Sequence, residues 1–153
     1  MKPCIVVENV RSAFNVGNII RTADALWFDV VLSGYSPSPF RDEKVKKSSL
    51  GAEDVVTIHE FWNPDSAVGR LEENWYSVFA AEISSKSISL EHTNFTEYDH
   101  IAIVVWNEKT GVLRSTLERV EKTVHIPMNW IKDSLNVWQA AAIMMWEVSK
   151  VSK

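Results

Sequence analysis

Glycine supplies only 5 of the 153 residues, about 3% and less than half the ~7% usual in globular chains, while tryptophan reaches seven. Cysteine is scarcer still. Cys4 stands alone in an apolar run, so no intrachain disulfide can form; it is expected in the core, and a reducing, cytoplasmic compartment is expected for the chain. Long apolar runs are missing as well. The N-terminal one, Cys4–Val7, covers four residues, too few for the heart of a secretion signal and far below the ~20 that cross a bilayer, so no membrane role is expected. Positive charge is in deficit: 16 Lys+Arg face 20 Asp+Glu, a net charge of −4. Such a body cannot hold a polyanion by bulk charge, and any nucleic acid must meet a local basic patch. Neither G-x-x-x-x-G-K-[ST] nor a strand-following G-x-G-x-x-G occurs, which removes the P-loop and ordinary dinucleotide-binding readings. His59, His92, His100 and His125 lack metal-ligand spacing with one another or with Cys4, so no metal is expected.

What remains is an ordinary globular composition, 46% apolar and 24% charged, in a length that suits one domain over residues 1–153. Short, continuous β-branched runs occur at Cys4–Val7, Val30–Leu32, Val55–Ile58, Ser77–Ala81, Ile101–Val105 and Thr123–Ile126. Continuity rather than alternation marks strands buried on both faces, as in a parallel sheet. Helical periods lie between them at Val16–Leu26, Ala67–Glu73, Leu113–Val120 and Ser134–Lys150. The alternation predicts an α/β domain, a mostly parallel sheet with helices on both faces. Residues 33–40 read as an ordered loop, and the run Arg41–Lys47 after it holds the densest positive charge. Arg41, Lys44, Lys46 and Lys47, with Arg11, are candidate phosphate ligands on RNA; a solvated face is the alternative.

Open α/β sheets place ligands beyond the carboxyl ends of their strands, and three polar segments follow predicted strands. In the first, Glu8–Ala25, Asn15 suits a helix N-cap, Gly17 allows close approach and Arg21 sits about one and a half turns in. The second, Ile101–Val112, carries Asn107, Glu108 and Gly111. In the third, Ile126–Val137, Ser134 suits the cap of the last helix and Asn136 directs an amide back to the loop.

In this order the three segments resemble the motifs of the SpoU/TrmH branch of the SPOUT RNA methyltransferases. That family's motifs read roughly N-x-x-S-x-x-N-x-G-x-x-x-R-T-A-D-A-x-G, G-N-E-x-x-G and I-P-M-x-G-x-x-x-S-L-N-V. Ser49-Leu50-Gly51-Ala52-Glu53 matches a further small-Leu-Gly-Ala-Glu stretch. The resemblance implies a C-terminal deep trefoil knot, S-adenosyl-L-methionine as cofactor, a homodimer, and methyl transfer to a ribose 2′-hydroxyl of tRNA or rRNA. It implies Arg21 as catalytic arginine, accompanied by Asn15, Glu108, Ser134 and Asn136. Its cofactor contacts fall on Ala81, Trp106, Asn107, Gly111, Ile126 and Met128, with Ser134, Leu135 and Asn136. Two roles stand open for Arg21: a ligand of phosphate or of developing oxyanion charge, which suits a permanently protonated guanidinium, or a base, which requires strong perturbation. A protein that keeps the fold for RNA binding or as a dimer scaffold, without catalysis, is the alternative from another class.

The departures from the family pattern share one residue type. Trp27, Trp75, Trp106 and Trp130 stand where the pattern has glycine, and Trp138 where it has a small residue. An indole at such a position blocks close approach and, at positive φ, adds strain. Two accounts remain open: real substitutions in a decayed copy, or a gene in which UGA means glycine and has been read as tryptophan. Adding the seven Trp to the five Gly gives 12 in 153, about 8%, close to the usual ~7%.

Overall fold

The β-branched runs pair side by side into one seven-stranded, wholly parallel sheet in the computed structural model, which describes residues 1–129 and 134–152. Its strands are β1 (Cys4–Glu8), β2 (Asp29–Ser33), β3 (Ile58–Phe61), β4 (Ser77–Ala81), β5 (Ile88–Ser89), β6 (Ile101–Val105) and β7 (Lys122–His125), in the spatial order β3-β2-β1-β6-β4-β7-β5. The helices are α1 (Ala13–Leu26), α2 (Glu43–Ser49), α3 (Pro64–Glu73), α4 (Arg114–Leu117) and α5 (Val137–Ser149).

Alternate side chains of each central strand serve opposite cores. Ile5 and Val7 of β1 join Ile19, Ile20 and Ala23 of α1 and Ala141, Met144 and Met145 of α5 on one face. Cys4 and Val6 join Ala67 and Leu71 of α3 on the other. Both faces are covered, which is why the strands read as unbroken apolar runs. Cys4 is buried as expected. From β1 the chain builds outward through β2 to β3, and later elements fill the other side of β1. Sheet order therefore reverses beside β1 and β6, where parallel α/β sheets open a crevice at the carboxyl edge.

Several boundaries differ from the sequence expectations. Asn15 is not the cap of α1: Ser12 is, its side chain accepting from the Asn15 N–H, and Asn15 lies within the first turn. Ser134 does not cap α5, which begins at Val137 behind Asn136 and has no side-chain cap bond. The third strand starts at Ile58 rather than Val55, because residues 52–54 form a single 3₁₀ turn that folds Val56 into the core. The charged run after the loop is helical: Asp42 caps α2 by accepting from the Lys44 N–H, and Val45, Ser48 and Ser49 face inward. One buried apolar residue in seven gives no periodic signal, so the pattern could not reveal α2. The passage from β7 to α5 includes residues 130–133, so Trp130 and part of the segment on which the expected knot depends lie outside the described residues. No helix among the described residues is long and apolar enough to cross a membrane.

Candidate functional site at the carboxyl edge of the sheet

Parallel pairing puts the ends of β1, β6, β4 and β7 on one edge, and buried polar side chains there stitch the outgoing loops together. Asn107, just beyond β6, is buried. Its Nδ2 donates to the Asn9 carbonyl at 2.6 Å and to Tyr35 Oη at 2.7 Å, while its Oδ1 accepts from the N–H groups of Lys109 and Thr110 at 2.8 and 2.9 Å. One amide thereby gathers the loops after β1, β2 and β6.

Glu108 faces the start of α1. Its carboxylate accepts from the Arg11 N–H at 3.2 Å, the Ser12 N–H at 3.4 Å and Asn15 Nδ2 at 3.0 Å. Partial burial pushes this carboxyl up, but the N–H donors outweigh it and hold the group below the usual carboxylate range. The first and second polar segments, far apart in sequence, are thus tied through Asn15 and Glu108, as the sequence grouped them.

Two further carboxylates do work that the sequence did not reveal. Glu8, at the buried end of β1, accepts from the Leu113 N–H at 2.7 Å and Thr116 Oγ1 at 2.5 Å. Burial pushes its carboxyl up, against the lowering effect of those two bonds. Glu82, just past β4, accepts from the Val112 N–H at 2.9 Å. Neither has a spacing signal, because each reaches a partner in a distant loop. The stretch Ser49–Glu53 closes on itself instead: Glu53 accepts from Ser49 Oγ at 2.5 Å and from the Gly51 N–H at 3.0 Å.

Beneath these loops lies a cavity of about 370 Å³ lined by Ala81, Glu82, Ile83, Trp106, Val124, His125, Ile126, Met128, Ser134, Leu135, Ala140 and Met144. Six residues expected at a cofactor are among them: Ala81, Trp106, Ile126, Met128, Ser134 and Leu135. Asn107, Gly111 and Asn136 are not on this lining; the first two shape the neighbouring loop, in which the Gly111 N–H donates to the Asn107 carbonyl at 3.0 Å. Its walls are mainly apolar, with polar groups at Glu82, His125 and Ser134, the make-up of a small-molecule site.

Arg21 is not at this cavity. It is exposed on α1, and its side chain makes no hydrogen bond or ion pair among the described residues. The basic candidates divide. Arg41 makes a two-pronged pair with Glu60, at 2.6 and 3.2 Å, and lies over the Trp62 ring, while Lys46 pairs with Glu43 at 3.3 Å. Arg11, Lys44 and Lys47 are exposed, with no ion pair among the described residues.

A family model, that of the SpoU rRNA Methylase family, matches residues 2–146. A putative TrmH family tRNA/rRNA methyltransferase of Staphylococcus aureus is 28% identical over 144 residues, covering 94% of this chain and 57% of the relative. The chain thus spans little more than half the length of that curated relative. An AdoMet-bound rRNA methyltransferase from Sinorhizobium meliloti superposes with a TM-score of 0.89 at 24% identity, over 97% of this chain and 56% of the other. A structure described for the 2-OH methylation of C/U34 on tRNA superposes at 0.86 with 23% identity, over 98% of this chain and 95% of the other. At these identities the superpositions speak for the fold.

Proposed function

The chain belongs to the SpoU rRNA methylase family, and from that premise we propose that it binds S-adenosyl-L-methionine in the carboxyl-edge cavity and methylates a ribose 2′-hydroxyl of tRNA or rRNA. One observation carries the reading: the three polar segments converge at the same edge, two through the Asn15–Glu108 bond and two through the cavity wall shared by Trp106 and Ser134. The relative of Staphylococcus aureus is described as acting on tRNA or rRNA, and the Sinorhizobium meliloti structure contains AdoMet.

The residues present suit that cofactor in chemistry. Ala81, Val124, Ile126 and Leu135 offer apolar surface for an adenine ring, and Glu82, His125 and Ser134 offer polar partners for a charged amino-acid end. When bound, the group supplies a methyl already activated by its sulfonium, so the chain's task is alignment and management of proton and charge. Glu108 is a poor general base, being held ionised by three donors, and serves to fix the second segment against α1. The Arg21 guanidinium, exposed and without a side-chain bond among the described residues, suits a phosphate or a developing oxyanion. Because it lies off the cavity of its own chain, it reaches the reacting hydroxyl across bound RNA or from a second copy, which is what a homodimer provides.

The test is transfer of labelled methyl from S-adenosyl-L-methionine to tRNA or rRNA, followed by nucleoside analysis. A 2′-O-methylated nucleoside is expected, with Arg21→Ala abolishing transfer while cofactor affinity stays within a few-fold. A methylated base would overturn the ribose reading, and near-wild-type turnover in Arg21→Ala would remove its role. The RNA-binding or scaffold reading is favoured by one observation, the Trp106 indole on the cavity wall. It requires RNA binding with no cofactor binding.

A further inference from the structure

Two helices end in the same hydrogen-bonded motif, and each puts a tryptophan where that motif most favours glycine. At the end of α1 the Phe28 N–H donates to the Ala23 carbonyl at 2.9 Å and the Trp27 N–H to the Asp24 carbonyl at 3.3 Å. At the end of α3 the Tyr76 N–H donates to the Leu71 carbonyl at 3.0 Å and the Trp75 N–H to the Glu72 carbonyl at 3.0 Å. These nested bonds, the outer closing six residues and the inner four, define a Schellman ending, whose penultimate residue takes a left-handed conformation and is usually glycine. Trp27 has φ 64° and Trp75 φ 65°. For a bulky side chain this is a rare and strained state.

The indoles gain little from being there: Trp27 has Lys2 Nζ 5.5 Å from its ring centroid, an exposed contact weaker than the strain it would have to offset. Trp27 is 55% exposed and Trp75 83%, and Trp62 and Trp146 are also more than half exposed. No described tryptophan is in the buried core, although tryptophan is on average a highly buried residue and Phe28 and Phe79 are fully buried here. Asn9 also has positive φ, but asparagine tolerates it; Leu50 is the other bulky case, and it directly precedes Gly51. A third tryptophan, Trp106, lies on the wall of the cavity.

We infer that positions 27, 75 and 106 are glycine in the native protein, encoded by UGA codons that the native host reads as glycine, and that the cavity there is correspondingly wider. A single reassigned codon accounts at once for the shortage of glycine, the excess of tryptophan and the repeated use of one residue at left-handed helix ends. Independent substitutions would have to choose tryptophan each time. The consequence for the cavity rests on the cofactor reading above; the identities at 27 and 75 do not.

Sequencing the gene and measuring peptide masses of the protein purified from its own host tests the inference directly. UGA codons with glycine-mass peptides are expected; UGG codons or tryptophan masses overturn it. Recombinant chains give an independent readout. Trp27→Gly with Trp75→Gly should raise the folding equilibrium constant roughly fivefold or more per site, since a left-handed bulky residue costs about 1–2 kcal/mol, and equal or lower stability counts against glycine. Trp106→Gly should tighten S-adenosyl-L-methionine binding at least about tenfold by calorimetry. Unchanged binding in a chain that binds overturns the widened cavity. If neither form binds, the cofactor reading falls, while codons and masses still decide the residues.

Discussion

The two loops that border the cavity are built in opposite ways. The one after β6, residues 107–113, is pinned by four side chains: Asn107 from within, Glu8 and Glu82 from the ends of β1 and β4, and Glu108 to α1. In the passage after β7, no side-chain hydrogen bond reaches 126–129 or 134–136 among the described residues, and Ile126 is held by packing against the core. The first loop is therefore fixed by folding itself, with Asn107, Glu108 and the N–H groups of Lys109, Thr110, Val112 and Leu113 already engaged. In the second, the described polar side chains, Asn129, Ser134 and Asn136, make no such bond among the described residues. A site so divided has its first two polar segments aligned before any ligand arrives.

The largest expected effect comes from breaking the pinned side at Glu8. Glu8→Ala leaves the Leu113 N–H and the buried Thr116 hydroxyl without partners, at about 1–3 kcal/mol for each group left unsatisfied. Denaturant unfolding should show this as a large fall in midpoint. Glu8→Gln sharpens the point, because an amide can accept from one partner and donate to the other without burying charge. Burial raises the native carboxyl above its unfolded value. Its favourable contribution is thus full below the unfolded value and declines as pH rises through the raised one. The Gln variant should lack that decline; a parallel pH curve would refute the assignment.

Gly111→Ala comes next. Gly111 has φ +71°, and a β-carbon there would stand 2.8 Å from Glu82 Oε2, the atom that accepts from Val112. The left-handed strain alone costs about 1–2 kcal/mol, so the melting temperature should fall, and an unchanged one means the loop has another way to close.

A smaller effect is expected at Glu108, which is exposed. Its lowered carboxyl contributes stability that is present above the unfolded value and lost as pH falls through the folded one. Protection factors at the Arg11 and Ser12 amides, from NMR exchange rates divided by the intrinsic rate at each pH, should fall over that acid range in the native chain. In Glu108→Gln they should be lower throughout and lack that titration.

The same division explains what the sequence revealed. The parallel sheet was legible because burial on both faces writes continuous runs such as Ile101–Val105, whose strand bounds match the expectation. Six cavity residues followed from the family resemblance. Glu8 and Glu82 were not legible, since a carboxylate serving an N–H about a hundred or thirty residues away leaves no local pattern. Asn15 was misplaced by one turn chemistry for another: Ser12, three residues earlier, is also a capping type and took the cap, freeing Asn15 for Glu108.

Ser134→Ala probes the open side and should have the smallest effect on the fold. Ser134 is exposed, lines the cavity, precedes α5 and has no intramolecular hydrogen bond among the described residues. Its removal strands no partner among the described residues, so stability should stay within about 0.5 kcal/mol, as for surface positions generally. Cofactor affinity is where the loss should appear. One hydrogen bond to a bound ligand contributes about 1 kcal/mol, or roughly fivefold in Kd. Calorimetry and thermal melts on the same variant separate the two quantities. A melting temperature that falls as far as that of Gly111→Ala would mean that the hydroxyl is already engaged in the free protein, and the contrast between the two loops would be lost.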